Sequence, residues 1–191
     1  MRVFDRFGIW TLVIAFGLLA VLPAHADLRK GNGEVGFDLG FTDFDSDLTG
    51  SSDAGARLDL RAGYMFTDLF QLEGLIGYSG LDDGDLETAF VDAVFNFRTS
   101  PRLMPYFLIG AGGARMGLNS LDDTGLAGQV AGGFRGFGAD GRIGLRLELG
   151  AMVLELFDET TTQVNFTFGF TFGLGQHHAH RAPHMRHALE D

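Results

Sequence analysis

Charged residues recur at every second position within otherwise apolar stretches of this 191-residue chain. One stretch holds Arg57, Asp59 and Arg61, and another holds Arg146 and Glu148. Residues two apart lie on the same face of an extended strand, so each stretch places its charges on one side. The charges predicted to face one interior are Arg57, Asp59, Arg61, Glu73, Asp92, Arg146 and Glu148, and Arg115 and Arg135 are expected to join them. Both signs occur in similar number, which predicts a salt-bridge network, because a buried charge needs a partner.

Acidic residues concentrate in four segments that we interpret as loops, 43–55, 80–86, 117–124 and 155–162, none of which contains Lys or Arg. Their carboxylates include Asp43, Asp45, Asp47, Asp53, Asp82, Asp83, Asp85, Asp122, Asp123, Asp158 and Glu159. Such a rim favours solubility and repels like-charged partners. The alternative is that it binds divalent cations, which take oxygen ligands and could bridge to lipid phosphates.

Histidines cluster near the end of the chain, at His177, His178, His180, His184 and His187. This tail is expected either to be disordered or to bind a transition metal weakly, since imidazole is a common ligand but the spacing fits no defined site. Between Asp27 and Gln176 there is no histidine, so acid–base catalysis there would depend on a carboxylate alone. We therefore expect no enzyme activity and no resident cofactor. The net charge of -11 argues against a nucleic-acid partner.

Strands must position these charges. The clearest is Gln163–Leu174, in which five phenylalanine or leucine residues and Val164 alternate with small or polar residues. Seven more segments are predicted as strands: 34–42, 56–66, 70–79, 87–98, 106–116, 125–135 and 142–154. The segments 106–116 and 125–135 are rich in glycine, and their weak alternation does not indicate which residues face the interior. Strands of roughly ten residues suit a tilted membrane crossing.

The size of an eight-stranded barrel indicates which face points outward. Such a barrel encloses room only for its own side chains or one small ligand. The aromatic residues of the apolar faces are too many and too bulky to fit inside, whereas glycines, small polar residues and some charges fit. A soluble barrel of the lipocalin kind would have the inverse arrangement. The predicted fold is therefore an all-β, eight-stranded, antiparallel up-and-down transmembrane β-barrel over residues 27–174.

Residues 1–26 have the pattern of a secretory signal peptide. Arg2 and Arg6 precede the apolar run Ile9–Leu22, and Ala24-His25-Ala26 is a small-x-small cleavage site. The run is short for a transmembrane anchor, which is the alternative. We expect removal of residues 1–26, leaving the barrel and a His-rich periplasmic tail, 175–191.

With these features the chain resembles the small outer-membrane barrels of Gram-negative bacteria, the family of OmpX and the OmpA transmembrane domain, over about Gly33–Leu174. Thr167, Gly169, Phe172 and Leu174 match that family's assembly signal of polar-x-Gly-x-x-apolar-x-apolar. The resemblance implies an outer-membrane location, contact with the lipid bilayer and lipopolysaccharide, and recognition by the barrel-assembly machinery. Residues 175–191 are too few for the peptidoglycan-binding domain that follows some members, so no tether to the cell wall is expected.

Two functions remain open. The first is a barrel with a plugged or narrow lumen and acidic outer loops, serving membrane stability or surface interaction. The second, suggested by OmpA-like barrels, is a narrow porin-like channel for ions or small solutes, gated by exchange of partners between lumen arginines and carboxylates. A matched set of charges favours a plug, whereas an excess of one sign favours conduction.

Overall fold

The computed structural model describes residues 30–45, 53–81, 84–97, 103–118, 121–138, 143–156 and 159–174. Its strands are β1 (Gly33–Asp45), β2 (Asp53–Met65), β3 (Phe70–Gly80), β4 (Gly84–Asn96), β5 (Met104–Leu118), β6 (Leu121–Phe137), β7 (Ile143–Leu156) and β8 (Glu159–Leu174). Each pairs antiparallel with the next, and β8 pairs back with β1 to close a barrel. The predicted fold is confirmed. The expected signal peptide and His-rich tail lie outside the described residues.

No helix among the described residues is both long and apolar enough to cross a membrane.

The strands are longer than expected, from 11 residues in β3 to 17 in β6. The prediction of a loop over 117–124 is wrong, because β5 continues to Leu118 and β6 begins at Leu121. The segments 80–86 and 155–162 are likewise mostly strand. Asp, Ser and Gly favour turns, but here the backbone pairing across the ladder outweighs that local preference. Asp47, Asp82, Asp83 and Asp158 lie outside the described residues.

The two ends of the barrel carry different connections between strands. The loop end is where β1 joins β2, β3 joins β4, β5 joins β6 and β7 joins β8. The turn end is the opposite one, and it contains both ends of the barrel segment, Gly33 and Leu174. Gly33 pairs with Leu174 at this end.

Side chains alternate between the interior and the outer surface along every strand, as a pleated strand requires. On the outer surface the phenylalanines of β1 and β8 pack together, with the Phe37 and Phe170 rings 5.6 Å apart. Inside, Arg135 and Arg146 are at most 1% exposed. The described structure therefore also settles the phase of β5 and β6: Tyr106, Leu108, Met116 and Arg135 are buried in the interior, and Arg115 is outside.

One glycine shows why the interior needs small residues. A Cβ atom at Gly169 of β8 would collide with the backbone oxygen of Phe37 and the carboxylate of Asp38 on β1. Glycine at this position lets the two strands that close the barrel pair while a buried carboxylate occupies the space beside them.

Candidate functional site

Glu73 is the centre of an ion-pair cluster in the half of the interior nearer the turn end. Its two carboxylate oxygens accept hydrogen bonds from both terminal nitrogens of Arg146, at 2.9 and 3.0 Å. Arg61 donates to Glu73 at 3.0 Å, and Arg135 lies 3.4 Å away. Forked pairs of this kind fix geometry as well as charge, and Glu73 is wholly buried. An arginine from each of three other strands, β2, β6 and β7, thus contacts the Glu73 carboxylate.

Glu148 forms the second node of the cluster. Arg61 approaches it at 2.8 Å and Arg146 at 2.7 Å. The hydroxyl of Tyr106 donates to Glu148 at 2.6 Å and accepts from Arg146 Nε at 2.8 Å. The guanidinium groups of Arg135 and Arg146 each lie 4.6 Å from the centroid of the Tyr106 ring. Such cation–π contacts are worth more where water is excluded, so the tyrosine helps to hold both arginines.

Further carboxylates complete the cluster. Glu34 pairs with Arg135 at 3.2 Å and accepts a hydrogen bond from Gln71 at 2.6 Å. Gln71 in turn accepts from Arg135 at 2.7 Å. Asp38 pairs with Arg61.

The middle of the interior holds two further groups. Arg57 pairs with Asp59 at 2.9 Å and donates to Thr88 at 3.3 Å. Asp92 accepts a hydrogen bond from Gln129 at 2.6 Å. Among the described residues no cation lies within ion-pair distance of Asp92, and its other oxygen has no hydrogen-bond partner. Asp92 is therefore the buried carboxylate of this interior that is held by a neutral group alone.

Buried apolar clusters lie on both sides of the charged part of the interior, and towards the loop end β1 and β8 place the buried polar Thr42, Gln163 and Asn165 beside them. At the turn end Met65, Met104 and Phe137 form a buried cluster. Towards the loop end a larger buried cluster contains Leu75, Leu86, Phe90, Ala114, Met116, Ala127, Met152, Leu154 and Leu156. The sequence predicts glycines, small polar residues and charges inside, and it does not reveal these apolar clusters.

The seven charges predicted from the sequence all lie in the interior, and none is more than 8% exposed. Arg61, Glu73, Arg146 and Glu148 meet in the cluster, Asp59 joins it through a 3.6 Å contact to Arg61, and Asp92 stands apart. The expectation that Arg115 points inward is wrong: its side chain is 56% exposed and lies 3.1 Å from Asp122 outside the barrel. The glycines around it give too weak an alternation to reveal its phase.

Several members of the cluster were not identified as such from the sequence. Glu34 and Asp38 alternate with apolar residues on β1 just as Arg57, Asp59 and Arg61 do on β2, so the same signal could have found them. Tyr106 and Gln71 gave no such signal, because neither carries a formal charge.

The assembly-signal residues occupy both faces of β8. Thr167 is buried and Gly169 faces Asp38, whereas Phe172 and Leu174 lie exposed on the outer surface at the turn end. The described residues contain no group of three or more His, Cys, Asp or Glu side chains that could hold a metal ion. His177, His178, His180, His184 and His187 lie outside them.

A family model described as outer membrane protein beta-barrel domain matches residues 11–182. Among solved structures, Neisserial surface protein A (NspA) has a TM-score of 0.64 at 16% identity, covering 75% of this chain and 99% of its own. Ail, the attachment invasion locus protein of Yersinia pestis, has a TM-score of 0.53 at 15% identity, covering 76% and 99%. The N-terminal barrel domain of Pseudomonas aeruginosa OprF has a TM-score of 0.50 at 16% identity, covering 76% and 100%.

Identities this low show a shared fold alone, and a search of curated proteins finds no match. The family model, however, spans well over half of the chain. The closed barrel with its apolar outer surface agrees with that match. The chain therefore belongs to the outer membrane protein beta-barrel domain family, and its place is the outer membrane.

Proposed function

We propose that this outer-membrane barrel has a closed lumen and serves membrane stability or surface interaction rather than transport. The observation that carries the proposal is a filled interior, in which an ion-pair cluster centred on Glu73 lies between one buried apolar cluster at the turn end and another towards the loop end. An ion crossing the barrel would have to displace paired charges and also pass a buried apolar cluster on either side of them. Hydrophobic constrictions oppose the passage of hydrated ions.

The surface role draws support from the outer side of the loop end. Asp122 and Glu87 are more than half exposed there. Bacterial barrels keep their chain ends and short turns in the periplasm, which would turn the loop end and its acidic rim outward. NspA and Ail, of similar fold, are described as a surface protein and an attachment protein. The expected partners are the lipid bilayer, lipopolysaccharide and, through the β8 signal, the barrel-assembly machinery. Divalent cations at the acidic rim remain an expectation.

A second function, a narrow channel for ions or small solutes gated by lumen Arg–carboxylate pairs, is favoured by one observation. Among the described residues the interior holds six buried carboxylates, Glu34, Asp38, Asp59, Glu73, Asp92 and Glu148, against four buried arginines, Arg57, Arg61, Arg135 and Arg146. This acidic excess would select cations if the lumen opened. Exchange of Arg146 between Glu73 and Glu148 is the movement that this function requires.

Single-channel recording in a planar bilayer tests the choice. We compare the wild-type chain with two variants. Arg146→Ala breaks the ion-pair cluster, and the double variant Met65→Ala/Phe137→Ala removes most of the apolar cluster at the turn end. Arg115→Ala, outside the barrel, is the matched control. Heat-dependent gel mobility confirms that each variant folds.

A closed lumen predicts no steady openings in the wild type or in Arg146→Ala, because the apolar clusters on either side of the charges remain. Steady wild-type openings whose conductance changes in Arg146→Ala but not in Arg115→Ala would instead establish the gated channel and refute the closed lumen.

A further inference from the structure

Asp92 of β4 differs from the other buried carboxylates of the described interior, because no arginine lies within ion-pair distance of it. The carboxylates that do have an arginine partner are Glu34, Asp38, Asp59, Glu73 and Glu148. Asp92 instead accepts a hydrogen bond at 2.6 Å from the neutral amide of Gln129, and its second oxygen has no hydrogen-bond partner. The residue is nevertheless fully buried. A buried carboxylate without a paired cation tends to become neutral, because burying its charge is very costly.

The space around Asp92 is tightly packed and apolar on both sides along its own strand. Its inward neighbours on β4, Phe90 and Val94, are 3% and 0% exposed. On β5 its paired neighbour is Gly110, where a Cβ atom would collide with the Asp92 carboxylate. Burial in surroundings of this kind disfavours the charged form of a carboxyl group.

A second carboxylate lies directly beside Asp92. Glu73 of β3 is its paired neighbour across the ladder, and both side chains are buried in the interior. Like charges that lie opposite each other on adjoining strands repel, and when two carboxylates share a buried site one of them readily takes up a proton. Arg146 contacts Glu73 at 2.9 and 3.0 Å and Arg61 contacts it at 3.0 Å, which favours its charged form. Asp92 is therefore the member of the pair that takes the proton.

The other charges that face Asp92 do not supply a partner. Arg61 on β2 and Glu148 on β7 act on it through space. Arg61 is already shared, because it contacts Glu73 at 3.0 Å and Glu148 at 2.8 Å. The residues of β5 and β6 on the same rung as Asp92 carry no charge.

A proton fits this site better than a metal ion does. Calcium and magnesium take roughly six or more oxygen ligands, and within the described ranges no three His, Cys, Asp or Glu side chains are grouped so that they could hold a metal ion. At Asp92 one carboxylate oxygen is bonded to Gln129 and the other has no hydrogen-bond partner. A proton needs only that second oxygen and no additional space.

We propose that Asp92 is a proton-binding site of the barrel interior, neutral at neutral pH, whose proton stabilises the ion-pair cluster around Glu73. Loss of the proton would place an unpaired negative charge beside Glu73. Arg61 contacts Glu73 through one nitrogen and would be drawn between the two carboxylates, whereas Arg146 is held through two. The site would thus make the cluster sensitive to pH. The proposal does not depend on whether the lumen conducts.

Infrared spectroscopy of the chain, refolded in a detergent without ester or carboxyl groups at neutral pH, tests the protonation state. A neutral carboxylic acid has a C=O stretching band that is separate from the bands of ionised carboxylates and shifts in heavy water. We expect this band in the wild type and its loss in Asp92→Asn, which keeps the shape of the neutral acid. Asp59→Asn is the matched control. It removes a buried carboxyl group of the same size that is paired with Arg57, and it should retain the band.

Urea unfolding at a series of pH values tests the coupling to stability. A carboxyl group that keeps its proton in the folded barrel makes the folded state bind more protons than the unfolded chain, so stability falls as the pH rises. This fall begins above about pH 4, where a free aspartic acid ionises. The midpoint urea concentration of the wild type should therefore fall more steeply with pH than that of Asp92→Asn, which has no proton to lose.

A folded wild type without the acid band would refute the proposal, and this spectrum decides the matter even if Asp92→Asn does not fold. A band that persists in Asp92→Asn would assign the proton to another group and overturn the site. Equal pH dependence of the wild type and Asp92→Asn would show that the proton does not stabilise the cluster. Conductance tests the closed lumen separately, and the closed lumen survives each of these results.

Discussion

On β4 and β7 the membrane-spanning part of the barrel and its loop end have opposite patterns. Along β7, Arg146 and Glu148 lie inside, and apolar side chains such as Leu149 lie outside. Nearer the loop end, with the alternation unbroken, Met152 and Leu154 lie inside and Glu155 outside. The same reversal occurs on β4, where Leu86 is buried between outward acidic neighbours.

This difference shows that the medium outside each part, lipid or water, determines which face of its strands is apolar. Lipid accepts apolar side chains on the outer surface, so the charges of the membrane part lie inside, where all but Asp92 are paired. Beyond the lipid the outer surface meets water, and on β3–β7 the interior becomes an apolar core. The stability of the two parts should therefore respond differently to substitution. A paired charge needs a partner at the correct position and orientation, whereas apolar packing depends mainly on side-chain volume.

The largest effect is expected from Glu73→Ala. Arg61, Arg135 and Arg146 would lose a shared partner, and the free energy of unfolding should fall by roughly 3–5 kcal/mol. Glu73→Gln should cost nearly as much, although it preserves the volume. The measurement is urea unfolding in lipid vesicles, followed by heat-dependent gel mobility.

Glu87→Ala, at an exposed carboxylate, is the control for Glu73→Ala and should change stability little. If Glu73→Gln is as stable as the wild type, the interior of the membrane part does not depend on directional charge pairing, and the comparison fails.

Leu154→Ala, in the apolar core of the loop end, should have the next largest effect. Loss of its buried methyl groups is expected to cost about 2–3 kcal/mol, because the end of the barrel can partly close the cavity. Leu154→Met preserves volume and should cost less than about 1.5 kcal/mol. The same unfolding assay measures both variants. A methionine variant as unstable as the alanine variant would show that shape, not volume, governs this core.

The smallest effect separates inner from outer glycines. Gly169→Ala forces a methyl group against the backbone of β1 and is expected to cost about 1–2 kcal/mol. Gly128→Ala, whose methyl group would face lipid with its nearest neighbour 3.9 Å away, should be close to neutral. Unfolding curves recorded side by side decide the matter, and equal costs would remove the distinction between the two faces.

How far the sequence predicted the structure varies with the strength of alternation. On β2 and β7 charged residues alternate strictly with apolar ones, and Arg57, Arg61, Arg146 and Glu148 were placed on the correct face. On β5 and β6 glycine follows glycine, so Arg115 and Arg135 looked alike although they lie on opposite faces. Because glycine has no side chain, its place in the sequence does not indicate which face of the strand meets lipid.

The loop predictions failed for a different reason. Asp122 and Asp123 favour turns locally, but each pairs across the ladder with a residue of β5. Backbone hydrogen bonds between distant segments do not depend on side-chain type, and they extended the strands beyond the point where local preference would have ended them.

The sequence by itself determined the number of strands, the barrel, and the charges that must lie inside it, because period-two alternation and the small volume of the barrel follow from local chemistry. Only the tertiary structure decided which charges meet. Glu73 receives arginines from three other strands, and their convergence depends on register and closure, which no single strand encodes.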